Sequence, residues 1–315
     1  MKLEPCDPPV WASTGHAQTI LGYLLPSPRL RSKGRRVEIP LEDGDRLVGF
    51  VEPGESKTVT YIFHGLAGST DSSYVHRTSI LAQRMGHTVF ITNHRGCGEG
   101  LGYAKAPYHS GRAEDLAAVI EYGRRLFPGH RHLAIGFSLS GNALLLLQAG
   151  RRGQTKPDAA VSVNAPIHLA RTAVLLRQGL NRIYDAKFYR QCRRDILRGC
   201  AKEDWHGRIP WWATLHDFDN FYTAPAGGFA NREDYYLSCS THNVLGDIAT
   251  PTVVLTAADD PFVPVQSFYE AQVSEHVLMH IEPFGGHMGY LSRQKTPFGT
   301  RRWQDYALSV ILREI

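Results

Sequence analysis

The chain has 315 residues, of which 43% are apolar, and a formal net charge of +5 at pH 7. A chain of this length can bury a large core as one domain with an insertion. No apolar run approaches the roughly 18 residues that span a bilayer, and MKLEPCDPPVW has neither the apolar core nor the cleavage site of a signal peptide. We therefore predict a cytoplasmic protein without an integral membrane segment, built as one domain over residues 1–315.

A basic run, RLRSKGRR, precedes the first predicted strand. Such a run can bind nucleic acid or an anionic membrane. Because no aromatic interleaving and no nucleic-acid motif accompany it, we interpret it as a solvated connection and predict no nucleic-acid partner. Its basic residues are Arg29, Arg31, Lys33, Arg35 and Arg36.

The next segments alternate between strand-like and helix-like sequence. Residues 35–51 form two extended runs around an Asp43-Gly44 turn signal, which predicts an antiparallel hairpin. From about residue 58 to 166, strand and helix then follow in strict succession, which predicts a mostly parallel, doubly wound sheet with helices on both faces. The predicted strands are 58–65, 87–96, 132–138 and 158–166, and the predicted helices are 71–86, 113–129 and 141–150.

The succession breaks over residues 167–246, which we interpret as a cap insertion within the same domain. Apolar residues recur every four positions over 181–199, which predicts an amphipathic helix behind an Asn181 cap. The rest of the insertion is aromatic, and these side chains either line an apolar substrate channel or form a small core. They are Trp205, Trp211, Trp212, Phe218, Phe221, Tyr222, Phe229, Tyr235 and Tyr236.

Strand and helix alternate again after the insertion. The sequence predicts strands at 250–259 and 276–283, a helix at 265–276 between them, and a last helix at 303–315.

Neither the histidines nor the cysteines have the spacing of a metal site. His276 and His280 are four residues apart in strand-like sequence, which separates them by over about 13 Å. The five cysteines are scattered without a C-x-x-C pair, which favours thiols in a reduced compartment over disulfides or a zinc site. We therefore predict no metal. The cysteines are Cys6, Cys97, Cys192, Cys200 and Cys239.

The stretch IGFSLSGN, residues 135–142, lies between a predicted strand and a predicted helix. It nearly matches the nucleophile elbow G-x-S-x-G, a sharp turn that exposes a serine hydroxyl beyond the sheet. Small residues flank that serine because strand and helix cross with little room between them. Ser140 replaces the second glycine and is nearly as small, so we predict that Ser138 is a nucleophile.

A serine nucleophile needs a histidine to take its proton and a carboxylate to hold the histidine's tautomer. Both residue types follow later strands, since ADDPFVP contains Asp259 and Asp260 and FGGHMGY contains His287. Serine, aspartate and histidine therefore occur in the chain order of α/β-hydrolases. This agreement at three strand ends is much stronger than the elbow alone.

Backbone N–H groups are expected to stabilise the oxyanion of the reaction. HGLAGS directly follows the third strand, so we predict an oxyanion hole formed by the N–H groups of Leu66 and Leu139. We interpret His64 as a brace of this loop rather than a base. Arg95, in the glycine turn after the fourth strand, is interpreted as structural rather than substrate-binding.

Together these stretches resemble the α/β-hydrolases, and most closely the YheT-like branch, which is related to yeast ethanol acyltransferases and ABHD-type lipases. The resemblance covers nearly the whole chain and implies an α/β-hydrolase fold. It also implies Ser138 as nucleophile, His287 as base and Asp260, rather than Asp259, as acid. Members are esterases or acyltransferases acting on carboxylic esters. The matching stretches are GHAQTI at 15–20, HGLAGS at 64–69, NHRGCG at 93–98, GFSLSGN at 136–142, DFDNFYTAPAGGF at 217–229, DDPFVP at 259–264 and GGHMGY at 285–290.

Three functional hypotheses follow. The leading one is a cytoplasmic serine esterase that acts on a small-molecule acyl ester through an acyl-enzyme, without a metal or organic cofactor. The second is an alcohol acyltransferase, which uses the same triad but lets an alcohol compete with water. The third is a non-catalytic scaffold that binds an acyl ligand, in which Ser140 marks a disabled elbow; the intact triad argues against it.

Overall fold

A computed structural model describes residues 2–199, 209–297 and 299–315. The strands are β1 Arg35–Pro40, β2 Arg46–Glu52, β3 Thr58–Phe63, β4 Thr88–Thr92, β5 Arg131–Phe137, β6 Ala159–Val163, β7 Thr252–Ala257 and β8 Val277–Glu282. They form one sheet in the order β1-β2-β4-β3-β5-β6-β7-β8. The pairs β1/β2 and β2/β4 are antiparallel, and the other neighbours are parallel.

The helices lie between the strands and in one long insertion between β6 and β7. They are α1 Gly15–Leu24, α2 Ser73–Arg84, α3 Ala113–Leu126, α4 Leu139–Gln148, α5 Leu169–Leu176, α6 Arg182–Gly199, α7 Leu215–Phe218, α8 Ala224–Ala226, α9 Arg232–Cys239, α10 Gln266–Tyr269 and α11 Trp303–Glu314. A π-helical turn, Asp219–Thr223, joins α7 to α8.

The core lies on both faces of the sheet. Every residue of β4, β6 and β7 is buried, which is the pattern of strands covered on both sides. Side chains of α2 and α11 pack on one face, and those of α3 and α4 pack on the other. The predicted doubly wound sheet with an antiparallel N-terminal hairpin and a helical insertion is confirmed.

The structure differs from the sequence interpretation at the start of α4 and at the end of α10. α4 begins at Leu139, two residues earlier than predicted, because it starts directly after the elbow. α10 ends at Tyr269 instead of continuing to 276, since Ser274 bonds through its N–H to Leu245 and through its hydroxyl to Ile248. These bonds hold the segment before β8 in a non-helical path.

The predicted Asn181 cap is also wrong. Asn181 lies in a 3-10 turn before α6, and its amide donates to the carbonyl oxygens of Leu175 at 3.0 Å and Pro261 at 2.6 Å. Its side-chain oxygen accepts no hydrogen bond from the described residues. The side chain therefore ties the insertion to the loop after β7 rather than capping the helix.

None of the helices in the described ranges is long and apolar enough to cross a membrane. The cytoplasmic location stays a prediction. Cys200 and Trp205 lie outside the described residues, while Cys6, Cys192 and Cys239 are buried thiols.

Arg95 lies in a buried ion cluster. Its guanidinium contacts both oxygens of Asp115 at 2.7 Å, Asp45 at 2.7 Å and Asp43 at 2.6 Å. The Arg95 side chain is only 3% exposed. Its donors are engaged by carboxylates of the fold, which supports a structural role.

We expect the Arg95→Met variant to lose about 3–5 kcal/mol of the free energy of unfolding, because buried carboxylates lose their partner. The matched control is Arg124→Met, since Arg124 pairs with Asp158 while both side chains are more than a third exposed. That variant should lose about 1 kcal/mol or less. Urea unfolding measures both values, and equal losses would contradict the structural role of Arg95.

Candidate active site

The turn between β5 and α4 holds Ser138 in a backbone conformation that few residues adopt. Its φ is +51° and its ψ is −117°, a combination that stores strain in a residue with a Cβ. Strand and helix approach so closely that a Cβ on Gly136 would lie 2.5 Å from the carbonyl oxygen of Ser140. The turn carries the Ser138 hydroxyl to the carboxyl edge of the sheet, where it lines a cavity.

His287 and Asp260 form a hydrogen-bonded line with Ser138. Nε2 of His287 lies 3.0 Å from Oγ of Ser138, and Nδ1 lies 2.7 Å from Oδ2 of Asp260. A carboxylate can only accept, so Nδ1 carries the proton and Nε2 is free to accept from the serine hydroxyl. The arrangement is suited to proton transfer from Ser138 to His287.

The two neighbouring aspartates have different partners. Oδ1 of Asp260 accepts from the N–H groups of Phe262 at 3.2 Å and Val263 at 3.0 Å, which fixes the carboxylate that contacts His287. Asp259 instead accepts from the N–H groups of the glycines at 285 and 286, at 2.8 and 2.7 Å. Burial raises the pKa of Asp259. Asp259 thus shapes the histidine loop, and Asp260 contacts the histidine.

Asn164, which the sequence analysis missed, joins these loops. It follows β6 with a φ of +47°, and its amide donates to Oδ2 of Asp260 at 2.9 Å and to the carbonyl of Gly286 at 3.1 Å. The hydroxyl of Tyr290 donates to its oxygen at 2.9 Å. The sequence feature that could have identified Asn164 is its position directly after β6, the strand that lies between β5, which precedes Ser138, and β7, which precedes Asp260.

α1 holds the histidine loop from the other side. The N–H of His287 donates to Oγ1 of Thr19 at 2.8 Å. Buried Gln18 donates to the carbonyl of Leu291 at 3.0 Å and accepts from its N–H at 2.6 Å. The sequence predicts no role for these residues of the stretch GHAQTI beyond the family resemblance.

The loop after β3 packs directly on the elbow. A Cβ on Gly65 would lie 3.0 Å from Cβ of Ser138. The N–H of Gly65 donates to the Tyr74 hydroxyl and that of Ala67 to the Tyr108 hydroxyl, both at 2.9 Å. The N–H groups of Leu66 and Leu139 have no acceptor among the described residues, and both residues line the cavity. They are therefore available to a ligand.

The cavity beside Ser138 encloses about 1100 Å³, including its opening to solvent. Its walls are mainly apolar and come largely from the insertion. Burial raises the pKa of two carboxyls on the wall, that of Asp219 to about 6 and that of Asp195 above its usual value. The hydroxyl of Tyr236 donates to Asp219 at 2.8 Å.

The aromatic residues of the insertion divide into two groups. One group is buried and also lines the cavity, so its members both pack in the core of the insertion and face the cavity. They are Phe218, Tyr222, Tyr235 and Tyr236. Phe229 packs behind them against Tyr235. The prediction is wrong for Trp211 and Trp212, which are 77% and 70% exposed because the turn before α7 directs them to solvent. Phe221 is 42% exposed.

In the described part of the chain, no group of three or more His, Cys, Asp or Glu side chains is arranged to hold a metal ion. His280, one of the two histidines considered above as metal ligands, instead contacts a carboxylate, since its Nε2 lies 3.0 Å from Glu282.

Comparison with known proteins identifies the family. A family model described as alpha/beta hydrolase fold matches residues 61–294. The chain belongs to the α/β-hydrolase family. This α/β-hydrolase is 30% identical over 290 residues to YheT of Escherichia coli (strain K12), a candidate esterase by name, with 89% of this chain and 85% of YheT covered.

Other relatives extend this result. Phospholipase ABHD3 of Mus musculus is 26% identical over 309 residues, with 91% of this chain and 74% of ABHD3 covered. The esterase Pf2001 of Pyrococcus furiosus has the same fold, with a TM-score of 0.60, 18% identity and 99% and 98% of the two chains covered. The family and the named relatives support hydrolase activity on esters at a general level.

Buried histidines make stability depend on pH. Burial lowers the pKa of His64, His94 and His109 below 6.5, and that of His132 to about 4. Below about pH 6.5 the unfolded chain binds protons that the folded protein does not. The free energy of unfolding therefore decreases as the pH is lowered. Each such histidine lowers the free energy of unfolding by up to about 1.4 kcal/mol for each pH unit below 6.5.

Asp219 has the opposite effect. Its raised pKa lets the folded protein bind a proton before the unfolded chain does, so protonation of this carboxyl below about pH 6 stabilises the fold. We therefore expect a net loss of stability between pH 7.5 and 5.5. Urea unfolding at several pH values measures it, and a free energy that stays constant or rises toward pH 5.5 would contradict the expectation.

Proposed function

We propose that this α/β-hydrolase is a serine esterase that hydrolyses carboxylic esters through an acyl-enzyme on Ser138. The observation that carries the proposal is the hydrogen-bonded line from Ser138 through His287 to Asp260, with distances of 3.0 and 2.7 Å, at the wall of an apolar cavity. Nucleophile, base and acid in contact form the arrangement that activates a serine hydroxyl.

The first half of the reaction forms the acyl-enzyme. Oγ of Ser138 attacks the ester carbonyl carbon while Nε2 of His287 takes the hydroxyl proton, and Asp260 stabilises the resulting imidazolium. The carbonyl oxygen becomes an oxyanion that accepts from the N–H groups of Leu66 and Leu139. The C–O bond to the alcohol then breaks, and His287 gives its proton to the leaving alkoxide.

The second half releases the acid. A water molecule attacks the acyl carbon and gives a proton to His287, so a second oxyanion forms at the same two N–H groups. Its collapse breaks the bond to Oγ of Ser138, which regains the proton from His287. The products are one carboxylic acid and one alcohol for each ester and water consumed.

The cavity supports a neutral substrate with an apolar acyl group. Aromatic and aliphatic side chains surround the space next to Ser138, and burial of such a group is favourable. Asp195 and Asp219 lie on the same wall. Negative charge on these carboxylates repels a carboxylate product more than a neutral ester, which favours product release.

We expect Ser138→Ala to lower kcat/KM on a reactive ester by at least several orders of magnitude, because no acyl-enzyme can form. A fluorophosphonate probe should add its mass to the wild-type protein at Ser138, as located by peptide mapping. His287→Ala should not be labelled. Turnover by Ser138→Ala near the wild-type rate would overturn the proposal. Product analysis with and without ethanol separates hydrolysis from acyl transfer.

The adjacent aspartates provide a matched pair of variants. Asp260→Asn should lower kcat by about 10³–10⁴-fold, because an amide has a single accepting oxygen and cannot accept both from His287 and from the backbone N–H groups that hold Oδ1. Asp259→Asn should stay within about tenfold of the wild type, since an amide oxygen can still accept from the two glycine N–H groups. Steady-state kinetics on one ester compares them. A larger loss in Asp259→Asn would assign the acid to Asp259.

A further inference from the structure

The elbow departs from the pattern G-x-S-x-G at Ser140, whose side chain is fully buried at the start of α4. Oγ of Ser140 lies 2.5 Å from Nε2 of His94. The same hydroxyl donates to the carbonyl oxygen of His64, which Nε2 of His94 approaches at 3.0 Å. Ser140 therefore connects the elbow to the loops after β3 and β4.

The surroundings of the two histidines fix where their protons lie. The backbone N–H of His94 donates to Nε2 of His64 at 3.1 Å, so the proton of His64 is on Nδ1, which donates to the carbonyl of Gly65 at 2.8 Å. Nε2 of His94 faces a carbonyl oxygen that cannot donate, so this nitrogen carries its proton. Burial lowers the pKa of both rings, and both are neutral at pH 7.

These bonds hold the two peptide units that precede Leu66. The carbonyl of His64 accepts from Ser140. The N–H of the same peptide belongs to Gly65 and donates to the Tyr74 hydroxyl at 2.9 Å. The carbonyl of Gly65 in turn accepts from His64. Because the C=O and N–H of a trans peptide point in opposite directions, the Leu66 N–H is turned away from that carbonyl.

We infer that Ser140 is a positioning residue whose hydroxyl, together with His94, holds the loop that presents the Leu66 N–H to the oxyanion. This inference rests on the proposed function. Glycine or alanine at position 140 removes the bond to the His64 carbonyl, and the loop loses one of its fixed points. An oxyanion donor acts through its preset orientation, so the loss raises the energy of the transition state more than that of the bound substrate.

Ser162 provides a matched control. It is fully buried on β6, close enough to the elbow that a Cβ on Gly141 would lie 2.8 Å from its hydroxyl oxygen. That oxygen has no hydrogen-bond partner among the described residues. Ser162→Ala is thus the same chemical change at a similar depth, without a bond to the oxyanion loop.

The test compares Ser140→Ala, Ser140→Gly and Ser162→Ala with the wild type on one reactive ester. We expect kcat of both Ser140 variants to fall about ten- to a hundredfold, less than the loss of a whole oxyanion donor, with KM within about twofold. Inhibition by a trifluoromethyl ketone, whose adduct carries an oxyanion, should weaken by the same factor as kcat/KM. Ser162→Ala should match the wild type within about twofold.

Thermal unfolding and circular dichroism establish that each variant is folded, and Ser140→Gly serves if the alanine variant does not fold. An unchanged kcat in the folded Ser140 variants would overturn the inference, as would an equal loss in Ser162→Ala. A lower kcat with unchanged ketone affinity would also overturn it, because the defect would not lie at the oxyanion. Failure of the fluorophosphonate probe to label the wild type would instead overturn the proposed function, and the inference with it.

Discussion

The close contact between β5 and α4 at Gly136 is the constraint on which the rest of the site depends. With no room for a side chain there, the chain must turn within one residue, and Ser138 takes the positive φ that this turn requires. α4 therefore starts at Leu139. The first N–H groups of a helix lack partners within it, so the turn that exposes the hydroxyl also leaves a donor beside it.

Parallel strands bring the remaining groups to the same place. The loops after β3, β6, β7 and β8 all leave the carboxyl edge of the sheet, where ligand sites of open α/β sheets form. Three buried polar side chains there are paired in series, since Tyr290 donates to Asn164 and Asn164 donates to Asp260. Such pairing offsets the cost of burying a carboxylate and holds its direction toward His287.

The sequence predicted the strands well because each is a short apolar run bounded by turn residues, and α/β alternation leaves few topologies. It identified Ser138 and His287 from local motifs, and the family resemblance selected Asp260 over Asp259; their catalytic roles stay a prediction. Long-range partners escaped it. Asn164 and Thr19 are ordinary polar residues whose role depends on contacts far along the chain. The predicted length of α10 is too great, because the hydrogen bonds of Ser274 to Leu245 and Ile248 end the helix and the local sequence pattern does not indicate them.

The contact between α1 and the histidine loop joins residues that are 268 positions apart. During synthesis α1 is made before every strand of the sheet, whereas the loop that packs against it follows the last strand, β8. The sequences of all eight strands lie between the two, so strands can pair before the loop is made. The site can therefore assemble only after all eight strands have been made, and a nascent chain with most of its sheet formed still lacks the histidine loop.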